Sequence, residues 1–229
     1  MRRDTAVPVN CVFARGTEER SLVTSTRTYT DADHAYIRAN YFTLSELCGD
    51  RTESPEEVRE LIDAGALPAA AYVLDDGSEW FPAGFFDLAD EAGQVERLHH
   101  HFGERLRVLG MPDQFIDEVW EEYLSGGLFW CIRDVTPDSI VRKASLCDAI
   151  TKLLAQPAPA EAVWCAALRR DVWALDAIER EFAPNFDRDL KSGGIRTRFG
   201  VAPSRDRLVE LPRRLYPEVF DVEAARTVA

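Results

Sequence analysis

Residues 123–147 read YLSGGLFWCIRDVTPDSIVRKASLC and combine apolar residues, cations and turn-forming residues more densely than the rest of the chain. Ser125-Gly126-Gly127 interrupts the preceding helical pattern, and an apolar run containing Cys131 follows. Thr136 before Pro137 is typical of a helix start, because threonine caps the first turn and proline is favoured at the first helical position. The stretch therefore predicts that one helix ends at the glycines and another begins at Pro137.

Three cations in this stretch are candidates for an anion site. Arg133 follows the apolar run, while Arg142 and Lys143 follow Ile140 and Val141, which we expect to face the core. Cations brought together against an apolar wall would bind an anion in largely dry surroundings. In the alternative interpretation the cations are solvated or pair with nearby acids. Those acids are Asp134, Asp138 and Asp148, and Tyr123 completes the set of candidate ligand-binding residues.

The composition is that of a globular protein, with 46% hydrophobic residues in a chain of 229. No apolar run approaches the roughly 18 residues of a membrane span, and the start has no apolar signal region. The five cysteines are scattered and show no metal-binding spacing, which indicates reduced thiols in a cytoplasmic protein. We therefore expect no membrane association, no structural metal and no other cofactor.

The net charge of −13 disfavours a protein that coats nucleic acid, since phosphate contacts need clustered cations. The charge is uneven along the chain. Residues 31–72 contain nine acids and three arginines, whereas residues 180–214 contain nine lysines or arginines and five acids. A basic C-terminal region in an acidic protein suits a small anionic ligand or an acidic partner.

The fold predicted from these patterns is mainly α-helical with a small β-hairpin, and it has four parts. Residues 1–30 are an arm or a single edge strand, residues 31–90 a winged-helix-like part, residues 91–217 a helical domain and residues 218–229 a tail. The expected helix starts in the second part are Asp31 or Asp33, Thr43 and Ser54. An Asp-Asp-Gly turn between two β-prone runs, residues 72–74 and 79–81, predicts the hairpin.

Short helices followed by a hairpin are the order of a winged helix-turn-helix, so DNA binding is one function to weigh. The candidate recognition helix carries Glu56, Glu57, Glu60 and Asp63 against Arg59 alone. Phosphate would repel such a helix in the major groove. We therefore place a DNA-binding regulator third among the possible functions.

The predicted helical domain contains further candidate sites. Its expected helices cover residues 87–110, 112–124, 161–182 and 205–215. His99, His100 and His101 point about 100° apart on a helix, so three in a row do not converge on one metal ion. Asp176 and Glu179 can share a helical face, and a carboxylate at Asp176 is either a base with a raised pKa or the partner of Arg180 or Arg169.

The basic C-terminal stretch offers a second anion site. Arg196, Arg198, Arg205 and Arg207 fall within twelve residues. Ser204 is a natural N-cap for the following helix, and a helix N-terminus beside arginines attracts anions. Arg205 and Arg207 therefore join the candidate anion-binding residues.

The succession YFTLSELC, VRELIDAGALPAAAYVLDDGSEWFP, CIRDVTPDSIVRK and SRDRL resembles a family known mainly as actinobacterial natural-product biosynthesis proteins of unassigned function. The resemblance runs from about Asp31 to Pro217. Some proteins that resemble this one are associated with biosynthetic gene clusters that make azabicycles with an aziridine ring. The resemblance implies a tailoring enzyme that closes a ring on a small anionic, amino-acid-derived intermediate, with loss of an anion such as sulfate.

Such a ring closure needs a carboxylate base and cations for the departing anion. Asp176 or Asp187 would be the base, and Arg133, Arg142, Lys143 and Arg205 would hold the leaving group. The substrate would be free or attached to a carrier protein. The alternative is a non-catalytic partner or carrier-protein-binding subunit, and in either case we expect a protein partner or a homo-oligomer.

Overall fold

The computed structural model describes residues 29–181 and 204–221 and is mainly helical with one small antiparallel hairpin, as predicted. The helices are α1 (Asp31–Asn40), α2 (Leu44–Leu47), α3 (Pro55–Asp63), α4 (Asp87–Ala92), α5 (Leu98–Val108), α6 (Asp113–Leu124), α7 (Pro137–Ala155), α8 (Ala162–Ile178), α9 (Leu211–Leu215) and α10 (Pro217–Phe220). The strands are β1 (Tyr72–Val73) and β2 (Glu79–Trp80). Short 3₁₀ turns cover Val95–Arg97 and Gly127–Trp130, and a π-helical turn at Asp206–Glu210 leads into α9.

Side-chain caps fix the starts of four of these helices. The capping box predicted at Thr43 with Glu46 is confirmed, as are the helix start predicted at Ser54 and the N-cap predicted at Thr136, both of which also form capping boxes. The predicted cap of α1, Asp31 or Asp33, is wrong, because Thr30 is the N-cap. Asp33 instead occupies the third helical position, where its carboxylate accepts a hydrogen bond from the Thr30 backbone N–H.

The hairpin pairs Tyr72 with Trp80, and its turn contains Gly77 at a φ of 79°. Phe42, between α1 and α2, forms an isolated antiparallel bridge with Phe81 just after β2. The hairpin is thereby tied back to the first helices. The order of helices and hairpin is the predicted one, and the winged-helix likeness beyond that order stays a prediction.

Two helix predictions are wrong in extent. The helix expected over residues 87–110 is divided, because Gly93 takes a left-handed conformation that ends α4 and a 3₁₀ turn precedes α5. The helix expected over residues 161–182 ends at Ile178, and Glu179 is already extended. This earlier end allows residues 178–180 to pair with another segment, as described below.

The described core consists of two hydrophobic clusters. The first joins α1–α3, the hairpin and α4–α6 to the start of α7, and it includes Ile140 and Val141 as predicted. The second joins the C-terminal half of α7 to α8 and the C-terminal helices, with Cys147, Leu168 and Val209 fully buried. Helix α7 therefore belongs to both clusters and connects them.

Candidate functional site

A buried ion pair lies where the two clusters meet. Lys143 is on the core side of α7, three residues after Ile140 and four before Cys147, so helical periodicity turns it inward. Its Nζ atom lies 3.0 Å from Oε1 of Glu179, and the two side chains are 3% and 1% exposed. We call Lys143, Glu179 and their neighbours Cys131 and Ser204 the Lys143 site.

Glu179 is the residue immediately after α8 and has two carboxylate oxygens in different surroundings. Oε1 faces Lys143 and also accepts a hydrogen bond from the Ser204 hydroxyl. Oε2 is buried and has no hydrogen-bond partner among the residues that the structure describes. A buried carboxylate oxygen without a partner is costly, so this atom is a strong candidate for contact with a ligand or a bound water.

Cys131 supplies the remaining contacts of the Lys143 site. Its backbone carbonyl accepts a hydrogen bond from Lys143 Nζ at 3.3 Å. Burial raises the pKa of the Cys131 thiol, and the nearby ammonium only partly offsets this effect. Burial would lower the pKa of Lys143, but the neighbouring Cys131 and Glu179 raise it above its ordinary value. The Lys143 side chain is therefore an ammonium at neutral pH.

Backbone hydrogen bonds next to the ion pair join residues 131–133 to the C-terminal end of α8. The Arg133 N–H donates to the Ile178 carbonyl at 2.9 Å, and the Arg180 N–H donates to the Cys131 carbonyl at 3.3 Å. The Arg180 guanidinium donates to the carbonyls of Asn40 and Arg133, and its carbon lies 4.8 Å from the centre of the Tyr41 ring. Arg180 thus ties α1 to the segment that precedes α7.

Asp176 lies one turn before Glu179 and forms a second charged group. It is ion-paired with Arg205 and Arg213, each at 2.8 Å. Burial raises the pKa of Asp176, but the hydrogen bond from Arg213 and the charges of Arg205 and Arg213 outweigh burial and lower the pKa below its ordinary value. The expectation of a base with a raised pKa is therefore wrong, as are the expected partners Arg169 and Arg180.

The predicted anion-binding residues differ in exposure and in their ion-pair partners. Arg142 is exposed although its neighbour Lys143 is buried, since successive helical residues point about 100° apart. Arg133 is also exposed, and Arg207 is half-buried. Arg205 already faces Glu181 at 3.6 Å and Glu210 at 3.5 Å in addition to Asp176.

Two further predicted residues lie elsewhere. Tyr123 is 1% exposed within the first cluster, and its ring stacks on Phe102 at 5.3 Å. Its hydroxyl has no hydrogen-bond partner among the described residues, and burial raises its pKa. Asp187, the second candidate base, lies outside the described residues. The structure therefore places Lys143 beside Glu179 and Arg205 beside Asp176. Asp176 and Glu179 are one turn apart at the C-terminal end of α8.

Other expectations concern metals and membranes. Across residues 29–181 and 204–221, no three histidine, cysteine or acidic side chains are arranged to hold a metal ion. His99 stacks on Trp120 at 4.7 Å, and His101 lies 3.6 Å from Glu91. In the same described residues, no helix has the length and hydrophobicity to cross a membrane.

The sequence contained one usable signal for the Lys143 site. Lysine at a core-facing position of α7, without an acid one turn away on the same face, predicts a distant carboxylate partner. The sequence pattern marks Glu179 only as a helical neighbour of Asp176, and Ser204 only as a helix cap. Their contact with Lys143 depends on how α7, α8 and the C-terminal helices pack.

Comparison with known proteins gives a family but no activity. A model described as "Family of unknown function (DUF6058)" matches residues 91–217, which is more than half of the chain and includes the whole Lys143 site. Searches of curated proteins and of solved structures find no match. The chain therefore belongs to the DUF6058 family.

Proposed function

We propose that the chain is a cytoplasmic tailoring protein of specialised metabolism that acts on a small, anionic, amino-acid-derived intermediate without a cofactor. The observation that supports this proposal best is the buried Lys143–Glu179 ion pair beside Cys131. Removing an ion pair from water costs several kcal/mol per ion, which contacts within the pair only partly return. Charged groups held in dry surroundings are typical of sites that bind or transform a ligand. The resemblance in the sequence motifs supplies the metabolic context.

The proposed reaction is intramolecular ring closure to an aziridine. The amine nitrogen of the substrate attacks the neighbouring carbon and forms a C–N bond. The C–O bond to sulfate breaks, and sulfate leaves with the bonding electrons. The proton lost from nitrogen passes to a carboxylate, for which we propose Glu179, whose Oε2 atom has no hydrogen-bond partner among the described residues.

Cations for the departing anion are proposed on both sides of the Lys143 site. Arg142 adjoins Lys143 in α7, and the Arg133 backbone is hydrogen-bonded to Ile178 next to Glu179. Both side chains are exposed, so they are accessible to an anion. Arg205 is a weaker candidate than the sequence suggested, because it already has three carboxylate neighbours.

A thermal-shift screen tests this proposal. The wild-type chain would be titrated with sulfate, phosphate and O-sulfo and O-phospho amino acids, since a ligand that binds the folded state raises the melting temperature by mass action. We expect an O-sulfo amino acid to stabilise the wild type and to stabilise Arg142→Ala less. Lys152→Ala, which removes an exposed lysine from the same helix, is the matched control. No stabilisation by any of these anions, or equal stabilisation of all variants, would reject the proposal.

The second candidate function is that of a non-catalytic partner subunit, and exposed apolar side chains favour it. Val163 and Trp173 on α8 are 82% and 43% exposed, and Leu215 on α9 is 55% exposed. Exposed apolar side chains of this size are typical of protein–protein contacts. Co-expression with the products of adjacent genes, followed by light scattering of the purified chain, would show whether a complex forms.

The structure adds no support for DNA binding. Glu56, Glu57 and Glu60 are exposed on α3, and Arg59 is ion-paired with Glu79 of the hairpin. The outward face of the candidate recognition helix is therefore acidic, which phosphate would repel. We propose no nucleic-acid partner.

A further inference from the structure

We infer that the exposed face of α8 packs against the same face of a second copy of this chain, antiparallel and about a two-fold axis. The inference goes beyond the proposed function, since it uses no residue of the Lys143 site. The residues that carry it form one exposed stripe along the helix.

The exposed residues of α8 have the spacing of a coiled-coil seam. Val163, Ala166, Arg170, Trp173 and Ala177 are all exposed, and they follow one another at intervals of three and four residues in turn. Positions with this spacing lie along one face of a helix, and two helices that form a coiled coil pack through them. We call these five residues the α8 stripe.

The α8 stripe is apolar although it faces solvent. Four of its five members are apolar, and Val163 and Trp173 are 82% and 43% exposed. Solvated helix faces are typically polar, as on α6. The exposed residues of α6 are Asp113, Gln114, Asp117, Glu118 and Glu121. The α8 stripe therefore has the composition of a contact surface rather than of a solvated face.

The order of residues in the α8 stripe complements itself when it is reversed. In an antiparallel pair whose two-fold axis passes level with Leu168, Val163 lies opposite the partner's Trp173, and Ala166 lies opposite the partner's Arg170. A larger side chain meets a smaller one in each of these layers, as close packing requires. Each layer occurs twice, which is the property of a two-fold interface between identical surfaces. A second copy therefore fits the stripe.

Charge favours the register centred on Leu168. Arg170 is the one charged member of the α8 stripe, and a register centred on it would set two guanidinium groups against each other. The register centred on Leu168 instead places each guanidinium over an alanine. Asp171 partly neutralises Arg170, since its Oδ1 atom lies 2.8 Å from the Arg170 Nε atom. Arg169, beside the stripe, already donates to the Val219 carbonyl of its own chain.

The length of the α8 stripe sets the expected strength of the dimer. From Val163 to Ala177 the helix rises about 21 Å, and its diameter is about 10 Å. A contact of this size is well below the roughly 800 Å² per partner of a standard protein interface. We therefore expect a dimer that dissociates on dilution, not an obligate one.

Cysteine cross-linking of the full chain tests the register. In a Cys165→Ser background, which removes the half-buried thiol of α8, one preparation would carry Val163→Cys and another Trp173→Cys. We expect the mixture to form a disulfide-linked dimer on mild oxidation with diamide, and each preparation alone to form far less. Two copies of the same position would lie about 15 Å apart along the axis, beyond the reach of a disulfide. Single variants that cross-link as readily as the mixture would overturn the antiparallel register.

A second pair and a matched control complete this experiment. Ala166→Cys mixed with Arg170→Cys should also cross-link, and this pair keeps Trp173 in place. Ser145→Cys mixed with Ala155→Cys puts the same ten-residue spacing on exposed positions of α7, and we expect no mixed dimer from it. The inference fails if neither α8 pair gives a mixed dimer, or if the α7 pair gives as much.

Sedimentation velocity measures the dimer without added cysteines. We expect the average mass of the wild-type chain to rise with concentration, and Trp173→Lys to raise the dissociation constant of the dimer by about tenfold or more. A chain that stays monomeric at every concentration used for cross-linking, or a dimer that Trp173→Lys leaves unchanged, would contradict the inference. The anion screen of the proposed function probes other residues, so failure of either test leaves the other result standing.

Discussion

Lys143 and Glu179 form an ion pair with an Nζ–Oε1 distance of 3.0 Å, and almost none of either side chain reaches solvent. The pair connects the middle of α7 to the end of α8, at the junction of the two hydrophobic clusters. Because the pair is buried, the loss in free energy of unfolding when one partner is removed tests whether the two side chains pack as described.

Replacement of one member of the pair should be more harmful than replacement of both. Lys143→Met leaves an uncompensated carboxylate in the interior, and we expect it to lower the free energy of unfolding by about 3–5 kcal/mol. The double variant Lys143→Met/Glu179→Leu should recover most of this loss, because no charge is left buried. Urea denaturation followed by circular dichroism measures both values.

The matched control for that cycle is Lys152→Met on the same helix. Lys152 pairs with Asp148 one turn away, but its side chain is 74% exposed. We expect a change within about 0.5 kcal/mol, as for other surface pairs. If Lys143→Met is as mild as Lys152→Met, the buried pair described here is not formed in solution.

Asp176→Asn should produce a pH-dependent loss of stability. The folded-state pKa of Asp176 is lowered, so its ionised form stabilises the fold at pH values above its ordinary pKa of 3.8. We expect the variant to be less stable than the wild type by about 1–2 kcal/mol near neutrality, between the values for exposed and buried pairs. The difference should shrink as the pH falls through the folded-state pKa. Urea titrations from about pH 3 to pH 7 would measure it, and a difference that grew towards low pH would contradict the pairing.

Gly126→Ala should be strongly destabilising. Gly126 has a φ of 75°, and a Cβ atom there would lie 2.7 Å from the carbonyl oxygens of both Ala69 and Ala70. We expect a loss of about 2–5 kcal/mol, the sum of left-handed backbone strain and overpacking. Thermal and urea denaturation would measure it.

Gly65→Ala separates the two causes. Gly65 has a similar φ of 70°, but a Cβ atom there meets nothing within 4 Å. This variant should lose only the backbone term of about 1–2 kcal/mol. Equal losses at both glycines would show that residues 69–70 do not approach Gly126 as described.

Arg180→Met should weaken the attachment of α1 to the segment before α7. The variant loses hydrogen bonds to the carbonyls of Asn40 and Arg133 and the contact with the Tyr41 ring. We expect a loss of about 2–4 kcal/mol. Hydrogen exchange should also report faster opening at the C-terminal end of α1. Arg142→Met, at an exposed arginine of α7, should change stability by less than about 0.5 kcal/mol, and a similar effect of both variants would contradict the role of Arg180.

The sequence by itself determined the features that depend on a few adjacent residues. Thr43 with Glu46, Ser54 with Pro55 and Thr136 with Pro137 start helices where predicted, because a capping hydroxyl and a third-position side chain satisfy backbone N–H groups locally. The hairpin follows equally from a glycine turn between two β-prone runs. The inward orientation of Ile140 and Val141 follows from helical periodicity.

Only the tertiary structure decided which charges meet. Lys143, Asp176 and Arg205 were all recognisable in the sequence as charged residues near apolar ones, but their partners come from other helices. Because a pKa depends on burial and on every charge nearby, the lowered pKa of Asp176 could not follow from its own helix. Glu179 has its position because α8 ends at Ile178 and the flanking residues pair with residues 131–133. This pairing joins segments that are far apart in the chain.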